Sequence, residues 1–202
     1  MRDQDIRQIL INELTAKFRN HKNTILVQEL GLFQGKSRID IAVINGSLYG
    51  YEIKSDSDNL LRLDNQLQAY SKVFDYLTLV VGSSHYTEIK KNIPAWCGLY
   101  IAKFSSNQIE LKKIRSPKKN ILVDAQAIVQ LLWREEALNI LKNSNLHKGL
   151  SKALRSKVWT RLITSTSLND LKKIIRHALL SRNLWIEHTK DNSTRIKILN
   201  SR

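Results

Sequence analysis

Apolar and polar residues alternate along the first half of the chain in patterns typical of short strands. Three runs, TILVQEL, RIDIAVI and SLYGYEIKS, are rich in β-branched and aromatic residues and are bounded by polar or glycine-containing stretches. Before them, apolar residues from Ile6 to Phe18 recur at the helical period, after a capping residue at Asp3 or Asp5. The pattern therefore predicts one helix followed by three strands.

The next stretch continues this alternation of helices and strands. A helical stripe covers Asp58 to Tyr76, and YLTLVVG, residues 76–82, has the continuous apolar character of a strand buried on both faces. A short helix around Thr87–Asn92 comes before CGLYIAKF and QIELKKI, which predict a terminal hairpin. The order α-β-β-β-α-β with an edge hairpin predicts an α/β fold with a mixed sheet.

The pattern changes after residue 115. SPKKN, residues 116–120, has the proline and clustered lysines of a linker. Helical patterns then cover Val123–Lys142, Ser151–Ile163 and Leu168–Trp185, and a short strand is predicted at Thr194–Leu199. We therefore predict a core over residues 1–115 and a basic helical segment over residues 116–202, which either binds nucleic acid or packs on the core.

The charge supports a polyanionic partner. Thirty-three Lys and Arg against 18 Asp and Glu give a net charge of +15. Residues 1–115 contribute +4 and residues 116–202 contribute +11, so the excess lies in the helical segment. Nucleic acid is the simplest partner for such a segment, and a merely solvated basic surface is the alternative. The candidate phosphate contacts on its helices are Lys152, Arg155, Lys172, Lys173 and Arg176.

The composition argues against membrane and secreted classes. No apolar run approaches the roughly 20 residues that span a bilayer, and the first ten residues include charges where a signal peptide would carry its apolar stretch. A single cysteine, Cys97, excludes an internal disulfide and a cysteine-rich zinc site. These features predict a cytoplasmic protein that does not bind a membrane.

Three charged residues interrupt the predicted strands. Asp40 lies within RIDIAVI, and Glu52 and Lys54 lie within SLYGYEIKS. Because side chains alternate along a strand, Glu52 and Lys54 share one face, and Gly50 on that face is expected to leave open space beside them. Charges inside otherwise apolar strands suggest a site.

The turn between these strands decides whether Asp40 joins that site. A two-residue Asn45-Gly46 turn, which Asn-Gly pairs favour, places Asp40 opposite Tyr51, so that Asp40 and Glu52 point to different faces. A three-residue loop over residues 45–47 places Asp40 directly opposite Glu52. We predict the three-residue loop or an equivalent bulge. Two converging carboxylates would form a hard oxygen site for Mg²⁺ or Mn²⁺.

Asp40 followed by Glu52-Ile53-Lys54 resembles the motif of the PD-(D/E)xK nuclease superfamily, whose members have a restriction-endonuclease-like fold. Ile39 stands where the motif ordinarily has proline. GYEIKSD, followed by Arg-Leu, Gln and Tyr, is similar to a poorly characterised group of bacterial and mobile-element proteins in that superfamily. The resemblance covers residues 28–82 well and the C-terminal helices more loosely.

The resemblance implies a metal-dependent phosphodiesterase that cleaves DNA. Asp40 and Glu52 would bind Mg²⁺ or Mn²⁺ together with one further acid, either Glu29 or, less favoured, Glu13 in the first helix. Lys54 would assist the nucleophilic water, and Gln66 would orient it. Arg62 belongs to the similar motif and Arg38 lies beside Asp40, so both are candidate nucleic-acid contacts, although Arg38 could instead pair with Asp40.

Other functions stay compatible with the sequence. A non-cleaving module that binds nucleic acid or protein on a nuclease-like fold is the main alternative, and a nuclease that acts on RNA is a third. Cutting both strands of a duplex at one place would need two sites, so a homodimer is compatible with the sequence, although no residue argues for it. The sequence specificity and the cleavage polarity are not encoded in any recognisable pattern.

Overall fold

The fold is a seven-stranded mixed sheet with helices on both faces, as seen in a computed structural model that describes residues 1–106 and 108–182 and the backbone of residues 196–198. The helices are α1 (Asp3–Phe18), α2 (Leu63–Ser71), α3 (Tyr86–Asn92), α4 (Ala125–Ile128), α5 (Arg134–Asn143), α6 (Arg155–Thr164) and α7 (Leu168–Leu180). The strands are β1 (Ile25–Leu32), β2 (Ser37–Ile44), β3 (Leu48–Lys54), β4 (Tyr76–Gly82), β5 (Gly98–Ser105), β6 (Gln108–Arg115) and β7 (Ile196–Ile198). Short 3₁₀ turns cover Phe33–Gly35, Ser83–His85 and Val129–Leu131.

The strand order across the sheet is β6-β5-β4-β3-β2-β1-β7. The central pairs β3/β4 and β4/β5 are parallel, whereas β1/β2, β2/β3, β5/β6 and β1/β7 are antiparallel. The predicted α/β class, the order of its elements and the terminal hairpin are confirmed. The predicted strand near residues 194–199 also exists, over Ile196–Ile198.

Each face of the sheet has its own hydrophobic core. Helix α1 covers one face with the apolar stripe that the sequence shows, Ile6, Leu10, Leu14 and Phe18, which pack with Ile41, Val43, Tyr51, Ile53 and Val80 of the strands. Helices α2 and α3 and the C-terminal helices cover the other face. Residues from both predicted parts of the chain form this second core, among them Leu48, Leu77, Leu79, Tyr70, Ile128, Leu141, Trp159 and Ile175. The C-terminal helices are therefore integral to the fold and not a separate body.

Two predicted helices are shorter than their apolar periodicity suggests. The stretch Val123–Lys142 is divided because Leu132 and Trp133 are extended, and the Glu136 carboxylate accepts a hydrogen bond from the Trp133 N–H to begin a new helix. The stretch predicted from Asp58 becomes helical only at Leu63, because the Asp58 carboxylate instead closes a turn onto Ser55. Helix α7 ends at Leu180, and Trp185 lies outside the described residues.

Two of the residues predicted to bind phosphate, Lys172 and Arg176, lie near a buried acid of the protein itself. Lys172 Nζ lies 2.7 Å from Asp75 Oδ1, and Arg176 Nη1 lies 4.0 Å from Asp75 Oδ2. Asp75 is buried and also accepts the Leu48 N–H, so it needs a cation to offset the cost of burying its charge. Lys172 and Arg176 therefore anchor α7 to the sheet and do not belong to an open basic face, contrary to the prediction.

No helix in the described ranges has the length and apolar character needed to cross a bilayer.

Candidate functional site

The turn between β2 and β3 has the three-residue loop that the site requires. The paired residues run from Ile44 with Leu48 to Ile41 with Tyr51, which places Asp40 and Glu52 opposite each other one step further along. The Asn45 side chain accepts the Ser47 N–H, and the Asn45 N–H donates to the Ser47 carbonyl, so the loop is closed by its own residues. The predicted register is confirmed.

Asp40 lies where the two strands stop pairing. Its Oδ2 accepts the Ile53 N–H at 2.7 Å, so the carboxylate takes the place of a backbone partner. Its Oδ1 accepts Arg7 Nη2 at 2.7 Å, and Arg7 Nη1 also donates to the Asp40 carbonyl at 3.1 Å. Burial raises the pKa of Asp40, and the hydrogen bonds from Ile53 and Arg7 oppose that rise.

Glu52 is buried and is surrounded by three donors. Its Oε1 accepts Lys54 Nζ and Gln66 Nε2, each at 2.7 Å, and its Oε2 lies 2.8 Å from the Tyr70 hydroxyl. Burial and, less strongly, the nearby Asp40 charge raise the pKa of Glu52 to about 7, although Lys54 and Tyr70 act in the opposite direction. Glu52 can therefore gain or lose a proton near neutral pH.

The Tyr70 hydroxyl connects Glu52 to β2. It lies 2.6 Å from the Arg38 carbonyl as well as near Glu52, and its single proton can serve only one of these acceptors at a time. Burial raises the pKa of Tyr70, so the hydroxyl keeps its proton. Tyr70 therefore holds the backbone of one strand against the acid of the next.

The expectation of open space beside Gly50 is wrong. A Cβ at Gly50 would lie 2.9 Å from the Phe74 ring, which occupies that position. Glycine is needed there for the close approach of Phe74 to the sheet. The space for a ligand lies further along the strand, at Glu52 and Lys54.

A cavity of about 840 Å³ brings together most of the residues that the sequence predicted. Asp40, Glu52, Lys54 and Gln66 line it, with Glu29, Arg38 and Arg62. Arg38, whose side chain is 60% exposed, and the exposed Arg62 can reach a ligand from solvent. The two carboxylates and the Lys54 ammonium therefore have access to a common space.

Glu29 lies in the cavity but is bound by arginines. It faces Asp40 across the β1/β2 pairing, as expected for a neighbouring strand, and its backbone has a left-handed φ of 57°. Its carboxylate lies 2.8 Å from Arg7 Nη1 and 3.3 Å from Arg38 Nε. Arg38 thus pairs with Glu29 and not with Asp40. Glu13, the less favoured alternative, is exposed on α1, does not line the cavity and interacts electrostatically with Tyr100.

Arg7 is the residue of this site that sequence reasoning missed. Its guanidinium binds Asp3, Glu29 and Asp40 at 2.7 to 2.9 Å, although its side chain is only 16% exposed. The charges of Asp3 and Asp40 raise the pKa of Arg7 against the opposing effect of burial. The only local signal is its spacing of four residues from Asp3, which does not distinguish it from an ordinary surface pair.

Two acids of the cavity, and not the predicted three, have acceptor positions left for a divalent ion. The carboxylates of Asp40 and Glu52 accept hydrogen bonds from five donors. Together they have roughly eight acceptor positions, so about three stay free. Gln66 Oε1 is buried beside Glu52 and has no hydrogen-bond partner among the described residues. Among the described residues, no three Asp, Glu, His or Cys side chains are arranged to hold a metal. Asp40 and Glu52 therefore keep free acceptor positions of the oxygen type that Mg²⁺ or Mn²⁺ prefers, whereas the Glu29 carboxylate is already bound by Arg7 and Arg38.

The remaining predicted contacts lie on the helical side of the fold. Lys173 is exposed and pairs with Asp170 at 2.9 Å. Lys152 and Arg155 are exposed, and the Arg155 guanidinium lies 5.5 Å from the centre of the Trp159 ring. None of these three residues lines the cavity.

The chain belongs to a bacteriophage protein family. The family model described as Bacteriophage P4 protein cII matches residues 1–201. Protein cII of Enterobacteria phage P4 is 26% identical over 188 residues, which cover 90% of this chain and 68% of the phage protein. A solved structure of a protein of unknown function from Silicibacter pomeroyi is 20% identical with a TM-score of 0.42, and the match covers 72% of this chain and 94% of that one.

Proposed function

We propose that this member of the bacteriophage P4 protein cII family is a divalent-metal-dependent nuclease that hydrolyses phosphodiester bonds, with DNA as its substrate and the cytoplasm as its location. The observation that carries the proposal is the register that sets Asp40 opposite Glu52 in one cavity with Lys54 and Gln66. The resemblance to PD-(D/E)xK nucleases rests on the same residues. Two structural features, the register and the shared cavity, thus support what the motif suggested.

The residues of the cavity have distinct tasks in this reaction. Asp40 and Glu52 would hold Mg²⁺ or Mn²⁺, which supplies Lewis acidity and a more acidic water when bound. Lys54 is placed by Glu52 to balance negative charge on the phosphate. The unpaired Gln66 Oε1 can accept a hydrogen bond from the attacking water and so orient it. Arg38 and Arg62 at the rim can bind the flanking phosphates.

The test is incubation of labelled single-stranded and duplex DNA, and of RNA, with the full chain in Mg²⁺, Mn²⁺ or EDTA. We expect metal-dependent products with DNA and a loss of cleavage of about 10²- to 10⁴-fold in Lys54→Ala, the range for one proton-transfer or charge-stabilising group. Lys112→Ala on the exposed surface of β6 is the matched control and should cleave normally. Cleavage by Lys54→Ala at the wild-type rate would refute the role assigned to Lys54. Faster cleavage of RNA than of DNA would make RNA the substrate.

A non-cleaving module that binds nucleic acid is the second candidate. It is favoured by Arg7, which already neutralises Asp40 and Glu29. It is also favoured because no group of three metal-binding side chains is found among the described residues. This alternative predicts nucleic-acid binding that EDTA does not change and no products with any substrate. The same incubation therefore separates the two functions.

A further inference from the structure

One stretch of the C-terminal segment has basic residues and no acidic ones. Between residues 137 and 169 the chain has no Asp or Glu. Its cations are Lys142, Lys148, Lys152, Arg155, Lys157 and Arg161, and all six are exposed. We call these six residues the basic helical surface.

The cations of this surface are free of ion pairs within the described ranges of the chain. Arg161 donates to the Leu146 carbonyl at 3.2 Å, and Arg155 stacks over Trp159, but neither contact neutralises a charge. Lys172 and Arg176 differ because both serve the buried Asp75. Six exposed cations in a stretch without acids give it a positive potential that attracts a polyanion.

The basic helical surface also suits a nucleic-acid backbone in its chemistry. Its residues lie at the end of α5, in the loop before α6 and along α6, whose first turn has no acidic residue. Leu154, 79% exposed between Lys152 and Arg155, offers an apolar contact to a sugar. Helix α6 also packs on the turn Val129–Leu131, and Gln130 of that turn lines the cavity.

We infer that the basic helical surface is a second binding site, separate from the cavity, for the sugar-phosphate backbone of DNA. The inference shares its nucleic-acid partner with the proposed function but does not require cleavage. It assigns affinity to this surface without base recognition, because lysines bind phosphates and carry no base-edge code. It also removes Lys172 and Arg176 from the set of DNA contacts.

The experiment compares two triple variants of the full chain with the same loss of charge. Lys152→Ala/Arg155→Ala/Lys157→Ala removes half of the basic helical surface. Lys112→Ala/Lys113→Ala/Lys118→Ala removes three exposed lysines of β6 and the linker. Binding of a short fluorescent duplex is measured in EDTA over a range of salt concentrations, and circular dichroism confirms that both variants fold.

We expect the first triple variant to lower the slope of log affinity against log salt by about 2 to 3, since each lost phosphate contact removes about 0.9. The control should lower it by less than about 1. Equal slopes in the two variants would attribute binding to net charge and overturn the inference, and so would wild-type affinity in the first variant. Duplex binding without cleavage in Mg²⁺ or Mn²⁺ would refute only the proposed nuclease, whereas the lack of any wild-type binding would refute the second site.

Discussion

The two carboxylates of the cavity have opposite surroundings. Asp40 belongs to a cluster of three acids around Arg7, and the guanidinium and the Ile53 amide both favour its ionised form. Glu52 is more deeply buried, with the Lys54 ammonium, an amide and a phenol as its neighbours. Burial raises the pKa of both acids, but at Asp40 the Ile53 amide and Arg7 oppose the rise, whereas the pKa of Glu52 reaches about 7. A sequence motif that lists two acids hides this difference.

The largest effect should come from removing the charge of either acid. We expect Asp40→Asn and Glu52→Gln each to weaken Mn²⁺ binding by at least about 100-fold and to abolish cleavage, because both are direct ligands in the proposed site. Isothermal titration with Mn²⁺ measures the first effect. Glu110→Gln on exposed β6 is the control. Unchanged Mn²⁺ affinity in both variants would remove the metal from this cavity.

The next effect concerns Arg7, the guanidinium that binds Asp40 and does not bind Glu52. Arg7→Met leaves Asp3, Glu29 and Asp40 without their common cation. We expect a loss of about 3 kcal/mol, or a fall in Tm of roughly 6 to 12 °C. Thermal unfolding with and without Mn²⁺ measures it, and Arg19→Met at the end of the same helix is the matched control. A Tm equal to that of the wild type would show that Asp40 does not depend on Arg7.

A smaller effect should appear in the dependence of stability on pH. Because the pKa of Glu52 rises from 4.5 to about 7 on folding, the native state binds more protons than the unfolded state between these values. The free energy of unfolding contributed by Glu52 therefore falls as pH rises through this window and is constant above it. Urea unfolding of wild type and Glu52→Gln at several pH values measures the difference, and Mn²⁺ should reduce it. A difference that is constant with pH would contradict the raised pKa.

The smallest effect is expected at Glu29. Because its carboxylate is bound by Arg7 and Arg38, Glu29→Gln should change Mn²⁺ affinity by less than about 3-fold, well below the change in Glu52→Gln. The same titration measures both variants. A loss of Mn²⁺ affinity in Glu29→Gln as large as that in Glu52→Gln would show that Glu29 is a metal ligand. The metal would then displace Arg7 from the Glu29 carboxylate.

The sequence predicted those features of the site that depend on strand periodicity and pairing. A choice between two loop lengths placed Asp40 opposite Glu52, whereas Gln66 was expected near them only from the resemblance to the nuclease superfamily. It could not predict Arg7 as a partner of Asp40, because their contact joins residues 33 positions apart through the packing of α1 on the sheet. Two other contacts could not be predicted for the same reason, namely those of Phe74 with Gly50 and of Asp75 with Lys172. Each joins residues that are distant in the sequence and has no local pattern.

The ion pair between Asp75 and Lys172 also has a consequence for synthesis of the chain. Its partners are 97 residues apart, so a ribosome that adds 5 to 20 residues per second produces Lys172 roughly 5 to 20 s after Asp75. Until then, the nascent β-sheet keeps an uncompensated acid and an uncovered apolar face. We therefore expect the nascent chain to become resistant to protease only when the C-terminal helices have emerged from the ribosome. Completion of the β5/β6 hairpin should not be enough.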